Sequence, residues 1–300
     1  MKNKFFNALL VVGISFLFIL LSVSVYAQYG TLSKEERIEW TPKNPYDRFP
    51  DGRPKVPDEI LKRMKEVSTE EAWGVLQGHG YKLQFDSNWM NPFPDRVLVG
   101  RAVTASFMPM RPDVNDLIND KGKKEKQVGA QNSWVIDTVV ENDVLVVDIL
   151  GRIEEGWTFA GDNLANSIFA KSKTGFVING GVRDLEGIMR IPEISFFVRG
   201  ADPVGIGSVM LMGINIPVRI GRATVMPGDI VLGRREGIIF IPPQFAEEVV
   251  ITSEKIRLSD RFGHQRLREK KYTPGQIDSE WTPEIKQDFE QWKKEQGIKE

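Results

Sequence analysis

The chain has no cysteine and only two histidines, His79 and His264, among its 300 residues. Disulfides and thiol chemistry are excluded, and a histidine-rich zinc centre has too few ligands. A metal held by this chain would sit on oxygen donors, which favours magnesium, manganese or calcium. Charge of one sign is also lacking, since 40 basic residues face 41 acidic ones, spread along the chain for a net charge of −1. The concentrated basic footprint of a nucleic-acid binder is missing, so no nucleic-acid partner is expected. The run Lys121, Lys123, Lys124, Lys126 lies among Gly and Glu and reads as a solvated loop. There is no repeat at solenoid spacing, and the single echo of Trp40-Thr41-Pro42 in Trp281-Thr282-Pro283 reads as chance.

At the N-terminus, Lys2 and Lys4 precede an uncharged apolar run from Phe5 to about Val25, closed by Val25-Tyr26-Ala27. A basic start, an apolar centre and small residues at the close describe a secretory signal peptide over residues 1–27. The alternative is an uncleaved membrane anchor, because the run is long enough to span a bilayer. Both export the protein: periplasmic or secreted if the segment is cleaved, membrane-anchored if it is not. Hydrophobic residues make up 41% of the chain, enough for a packed core in the remainder.

Residues 28–55 are polar, carry Pro42, Pro45, Pro50 and Pro54, and read as an extended arm. Pro57 to Met64 has a helical pattern, and Ser68-Thr69-Glu70-Glu71 caps a second helix ending near Gly78. From Arg96 short β-branched runs take over. Strands are expected over Val97–Phe107, interrupted at Gly100, then Val144–Leu150, Phe176–Ile178, Ile194–Val198, Ile216–Val225, Ile230–Leu232 and Ile238–Ile241. Helices are expected over Asn132–Val140, Asp162–Lys173 and Gln244 to about Arg257. The order points to an α/β layered domain, not a simple alternating doubly wound sheet. A charged tail follows. Its last helix, from Thr282-Pro283, carries Ile285, Phe289 and Trp292 on one face, a stripe too small to fold alone.

Two stretches could carry chemistry. Gly161-Asp162-Asn163-Leu164-Ala165 opens a helix whose free N–H groups and partial positive charge make an anion site; the plainer reading is that Asp162 is an N-cap. Asn179-Gly180-Gly181-Val182-Arg183-Asp184 ends a buried strand in an expected two-glycine turn presenting a cation beside a carboxylate. The plainer reading there is an incidental surface ion pair. His79 and His264 are expected to serve turns, and Trp73, Trp134 and Trp157 to be core or pocket wall.

Several ordered motifs then carry a resemblance: Gly100-Arg101-Ala102-Val103-Thr104, Asp143-Val144-Leu145-Val146-Val147-Asp148, the two stretches just described, Val225-Met226-Pro227-Gly228-Asp229 and Gly237-Ile238-Ile239-Phe240-Ile241-Pro242. Over roughly residues 57–258 the sequence resembles the RraA-like family, which holds class II 4-hydroxy-4-methyl-2-oxoglutarate and 4-carboxy-4-hydroxy-2-oxoadipate aldolases and the regulator of ribonuclease E activity A. The resemblance implies a three-layer β/β/α, swivelling-domain-like fold over residues 56–258. The extensions are the arm at 28–55 and a charged segment with a terminal helix at 259–300. It implies homotrimers or homohexamers with interfacial sites. It also implies a divalent metal, Mg2+ or alternatively Mn2+, on Asp184 and waters. Arg183 would bind a 2-oxo-acid, Gly161 and the amides of Asn163, Leu164 and Ala165 would grip its carboxylate, and Asp162 would order the metal waters. An acidic residue from a neighbouring subunit is also implied, with Asp260 the candidate. Asn179 departs from the aspartate usual before the glycine, and Gly233-Arg234-Arg235-Glu236-Gly237 replaces a more acidic turn. The implied activity is metal-dependent C–C cleavage of a 2-oxo-acid, by retro-aldol release of pyruvate or decarboxylation of oxaloacetate. The alternatives are a non-catalytic binding or regulatory protein and a metal-dependent enzyme acting on a sugar-derived acid.

Overall fold

A computed structural model describes residues 32–152 and 156–298. The expected signal segment therefore lies outside the described residues, as do Glu154 and Glu155. The elements run in this order: α1 (Lys34–Trp40), α2 (Asp58–Met64), α3 (Thr69–Gly78), β1 (Phe85–Asp86), β2 (Leu98–Pro109), α4 (Pro112–Lys124), α5 (Gln131–Asp137), β3 (Asp143–Asp148), α6 (Asp162–Ser172), β4 (Gly175–Val182), α7 (Leu185–Met189), β5 (Ser195–Ala201), β6 (Val209–Ile214), β7 (Val218–Ile220), β8 (Ala223–Val225), β9 (Ile230–Arg234), β10 (Gly237–Ile241), α8 (Ala246–Arg268), α9 (Pro274–Ile277) and α10 (Pro283–Glu295).

The principal sheet has strand order β1-β10-β9-β2-β3-β4-β5, with β6 also pairing β2. Strands β2 to β5 are mutually parallel, joined by crossovers through α5, α6 and α7, whereas β9 and β6 pair antiparallel with β2, and β10 pairs antiparallel with β9. Alternation along β2 and β3 decides the layers, because successive side chains leave opposite faces. Val103, Ala105, Leu145 and Val147 point into a core shared with Trp134, Ile136 and Ile168 of α5 and α6. Ala102, Val144 and Val146 point the other way, onto Val218, Ile220, Ala223 and Val225 of the β7–β8 hairpin. The result is helices on the large sheet and the large sheet on a small one, the expected β/β/α layering. A third core seats α2, α3 and the first half of α8 against β9 and β10.

Several expectations change. The lysine run is not a loop, since Lys121, Lys123 and Lys124 form the last turn of α4. The interruption at Gly100 is absent, and β2 runs through it. The expected strand over 216–225 is a hairpin, with Gly221 at φ +56 supplying the left-handed turn. The arm is not simply extended: α1 carries a Ser33/Glu36 capping box, and Arg53 buries its guanidinium against Asp143 at 3.1 and 3.3 Å. Arg101 closes this network, donating to Val56 O and Asp58 Oδ1 at 2.7 Å. The arm is thus tied to the sheet by buried charge. Helix α8 passes residue 258 without a break, and its far end packs Phe262 against Ile285 and Trp292 of α10, fastened by Arg266 and Asp288 at 2.8 Å. The tail therefore docks on its own chain.

Candidate active site

Strand β4 delivers Arg183 and Asp184 to the N-terminus of α6. The expected two-glycine turn is instead strand: Gly180 and Gly181 lie inside β4, which shifts register by a bulge between Ile178 and Gly181. The strand continues because residues 157–161 supply a partner. Thr158 bridges Gly181, Phe159 N–H donates to Gly181 O at 2.9 Å, and Arg183 N–H donates to Ala160 O at 3.0 Å. Asp184 then adopts the left-handed conformation (φ 53, ψ 39), which aspartate tolerates, and caps α7.

Gly161 is the N-cap of α6, in extended conformation and without a capping side chain. A Cβ there would stand 2.5 Å from Asp184 Oδ2 and 3.1 Å from Arg183 Nε. The guanidinium and carboxylate therefore lie directly on the backbone at the helix mouth, where only glycine leaves room. Arg183 Nη1 is 3.3 Å from Asp184 Oδ2, and both side chains are half-exposed. A cleft of about 290 Å³ opens beside them, lined by Asn132, Ser133, Thr158, Leu164, Arg183 and Ile206 among others.

The first turn of α6 is less open than expected. Asn163 N–H donates to Asp162 Oδ1 at 2.8 Å, and Ala165 N–H donates to Gly161 O at 3.0 Å. The N–H groups of Asp162 and Leu164 have no partner among the described residues, and with the helix dipole they form what remains of the anion site. The Asp162 side chain lies against Gly187 of α7. Asp162 is thus no N-cap in the usual sense, because Gly161 holds that position.

Other named residues fall elsewhere. Asn179 is buried behind the cleft, donating to Asp148 Oδ1 and accepting from Arg199 Nε, each at 2.9 Å. An aspartate there would face Asp148, a carboxyl already pushed up by burial. Trp157 is partly buried against the core, and Trp73 is exposed. His79 ends α3 and meets Glu248 at 2.9 Å, whereas His264 lies within α8, not in a turn. Asp260 is exposed on α8. Asn132, Ser133 and Thr158 carried no signal in the sequence. Asn132 Nδ2 donates to Phe159 O at 2.6 Å and so fixes the cleft floor.

No cluster of three His, Asp or Glu residues capable of caging a metal occurs among the described residues. Asp184 offers a single half-exposed carboxylate, a donor that suits a magnesium-type ion keeping most of its waters and does not suit a zinc cage.

This fold and site define a class. A profile of the RraA-like family, described as Aldolase/RraA, matches residues 61–240, more than half of the chain. The chain belongs to the RraA-like family, which holds both class II aldolases and RraA regulators. It is 24% identical over 161 residues to a Halalkalibacterium halodurans protein provisionally named a 4-hydroxy-4-methyl-2-oxoglutarate aldolase, covering 53% of this chain and 74% of that one. It is 27% identical over 108 residues to the 4-hydroxy-4-methyl-2-oxoglutarate aldolase of Thermus thermophilus, covering 36% of this chain and 64% of that enzyme. The fold matches Streptomyces coelicolor RraAS2, an unusual member of the RNase ES inhibitor RraA protein family, with TM-score 0.61 and 23% identity over 71% of this chain and all of that one.

Proposed function

We propose that the protein is a divalent-metal-dependent lyase that breaks a C–C bond in a 2-oxo-acid. The observation that carries this reading is the convergence of Arg183 and Asp184 on Gly161 at the helix mouth. A bound Mg2+ or Mn2+, carried by Asp184, would supply Lewis-acid stabilisation of the negative charge that develops at the keto oxygen. Arg183 presents a planar, permanently charged donor fork to the substrate carboxylate or the forming enolate. The free N–H groups of Asp162 and Leu164 add dipoles of the same sign. Asp162, whose carboxylate lies against Gly187 of α7 beside the helix mouth, would order the water that takes up the proton of the substrate hydroxyl. In the retro-aldol direction that hydroxyl becomes a carbonyl as the adjacent C–C bond breaks. The bond's electron pair enters the enolate of pyruvate, and a proton returns to its terminal carbon. Supporting this assignment, no lysine lines the cleft among the described residues, so a Schiff base has no candidate amine. Export through residues 1–27 and assembly into a trimer or hexamer belong to the same proposal.

The test is a coupled assay for pyruvate release. Purified protein is offered oxaloacetate and 4-hydroxy-4-methyl-2-oxoglutarate with Mg2+ or Mn2+, then with EDTA. Turnover is expected with metal and lost with chelator, and Asp184→Asn should abolish it. Turnover unaffected by EDTA or by Asp184→Asn overturns the mechanism. Binding without turnover of any 2-oxo-acid would favour the non-catalytic reading.

A further inference from the structure

A cavity of about 350 Å³ shares no lining residue with the cleft at Arg183. Separate stretches of chain build it: the end of α1 and the turn after it, the approach to β1, strand β8, the β8–β9 turn, and the residues between β10 and α8. Trp40 and Tyr81 give it aromatic surface, and Gln84 and Asp229 give it polar groups. Pro42, Pro242 and Pro243 contribute walls that have no backbone N–H to donate. Trp40 is 54% exposed, so much of its indole is free to meet a ligand, whereas Asp229 is only 2% exposed.

Hydrogen bonding fixes what the two polar groups present. Asp229 Oδ2 accepts the Met226 N–H at 2.8 Å, and Oδ1 has no partner among the described residues. Gln84 Nε2 donates to Thr224 O and to Phe240 O, each at 3.2 Å. Both of those partners are carbonyls, so a flipped amide would set oxygen against oxygen. Gln84 Oε1 is therefore left as an acceptor, again without a partner among the described residues. The buried side-chain atoms that lack a partner and are closed to contact are Arg37 Nε, Asn91 Nδ2, Arg101 Nε and Asn215 Oδ1. Neither Asp229 Oδ1 nor Gln84 Oε1 is one of them, so both open onto the cavity that their side chains line. Lys43 also lines the cavity, but it is exposed and makes no ion pair with Asp229. Burial pushes the Asp229 carboxyl up, and no cation among the described residues pulls it back.

Two open acceptors, one of them a carboxyl, suit a ligand made of donors. An anion would set its oxygens against theirs. A hydroxyl could donate to either, but it brings lone pairs that the proline walls do not answer. An ammonium brings three N–H donors and no acceptor. Its charge would also complete the carboxylate where burial strengthens the attraction. We infer that this cavity binds a small organic amine in its protonated form, with the ammonium on Asp229 and Gln84 and the apolar body against Trp40 and Tyr81. The site goes beyond the lyase reading and does not depend on it.

Three probes of similar shape separate the charge states: benzylamine, benzyl alcohol and benzoate, each titrated calorimetrically into the full chain near neutral pH. Benzylamine is expected to bind saturably and at least about tenfold more tightly than benzyl alcohol, the scale of a hydrogen bond to a charged group. Benzoate should not bind measurably. Asp229→Asn keeps an acceptor for the Met226 N–H and turns an NH2 donor toward the cavity. It should weaken benzylamine by about tenfold or more and leave benzyl alcohol within about threefold. Trp40→Ala, at an exposed position, should weaken both ligands by about three- to tenfold, and Trp40→Phe should restore most of that loss. Urea midpoints confirm that each variant is folded. Should Asp229→Asn fail to fold, the probe series on the wild type and the two Trp40 variants decide the matter. The absence of saturable benzylamine binding, equal affinity for benzylamine and benzyl alcohol, a preference for benzoate, or indifference to the Asp229 or Trp40 changes overturns the inference.

Discussion

Two of the molecule's arginine–aspartate associations, one bidentate across 90 residues and one between chain neighbours, stand in opposite surroundings. Arg53 and Asp143 meet at 3.1 Å with side chains 3% and 0% exposed, and Arg101 stands 3.8 Å from the same carboxylate. Arg183 and Asp184 meet at 3.3 Å with side chains 45% and 43% exposed. In the first, every charge is removed from water and answered by protein. Burial pushes the Asp143 carboxyl up, and the Arg53 and Arg101 guanidiniums pull it back. In the second, water still solvates both partners, so the pair adds little to stability and its donors remain free to exchange solvent for a ligand. The same two residue types hold the arm to the sheet in one place and present chemistry in the other. Burial decides which.

Breaking the buried pair should give the largest effect. Asp143→Ala leaves the buried Arg53 with only the part-exposed Asp51 Oδ2, 3.3 Å from its Nε, and removing one partner of such a buried pair costs about 3–5 kcal/mol. Urea unfolding should show that loss, and the arm around Arg53 should become sensitive to proteolysis. A loss under about 1 kcal/mol would erase the contrast between the two pairs.

The exposed pair should behave in the opposite way. Arg183→Lys keeps the charge but removes the planar fork. Pyruvate release is expected to fall about 10²–10³-fold, the usual consequence of deleting one preorganised donor. The unfolding midpoint should move by less than about 1 kcal/mol, as for exposed ion pairs generally. Kinetics and urea melts on the same preparation check both halves. A variant that is inactive because it is unfolded would count against the division of labour.

How much of this contrast was legible in the sequence depends on the distance between cooperating residues. Gly161 and the Arg183-Asp184 pair could be read because the glycine, the helix start and the strand end are local signals. The nearly continuous apolar run from Val144 to Leu150 likewise announced a strand buried on both faces. The Arg53–Asp143 bond spans 90 residues, and nothing around Arg53 signals that it enters the core. The arm was accordingly read as extended. Helix α4 was missed because Ile118 and Gly122 are its buried positions and its lysines cluster at one end, so the apolar period is faint. The glycines of β4 read as a turn, yet residues 157–161, distant in pattern though near in space, supply the hydrogen bonds that keep them in a strand. Asn132, Ser133 and Thr158 have no motif of their own, because a cleft wall is assembled by topology.

Asp229 provides the third condition, burial without a cation. Its carboxyl is buried and, among the described residues, accepts only the Met226 N–H, at 2.8 Å, and burial pushes it up to about 7. A folded-state value above the unfolded one means the native protein binds the extra proton. The stabilising contribution is complete below about pH 4 and is lost as pH rises through 7. Between pH 5 and 8 the wild type should lose on the order of 2 kcal/mol at this site. Asp229→Asn keeps an acceptor for Met226 and removes the titration, so the difference between wild type and variant, followed by urea midpoints, should grow with pH. A constant difference across that range would show that Asp229 is ionised throughout and that the partner cation matters less than supposed.

The smallest and sharpest intervention is Gly161→Ala. Gly161 has φ −105 and ψ −170, a conformation alanine adopts freely, so the backbone does not oppose the change. The new methyl would stand 2.5 Å from Asp184 Oδ2 and 3.1 Å from Arg183 Nε, too close for either to stay. Both side chains are half-exposed and can swing outward, so the cost to folding should stay within about 1 kcal/mol, most of it the loss of glycine at an N-cap. What moves is the position of the guanidinium and carboxylate relative to the free N–H groups of Asp162 and Leu164. A displacement of this kind should reduce pyruvate release by about tenfold or more, because catalysis depends on geometry that stability does not register. A methyl group carrying no charge would then separate placement from chemistry, and unchanged turnover would mean that the pair acts without the helix mouth.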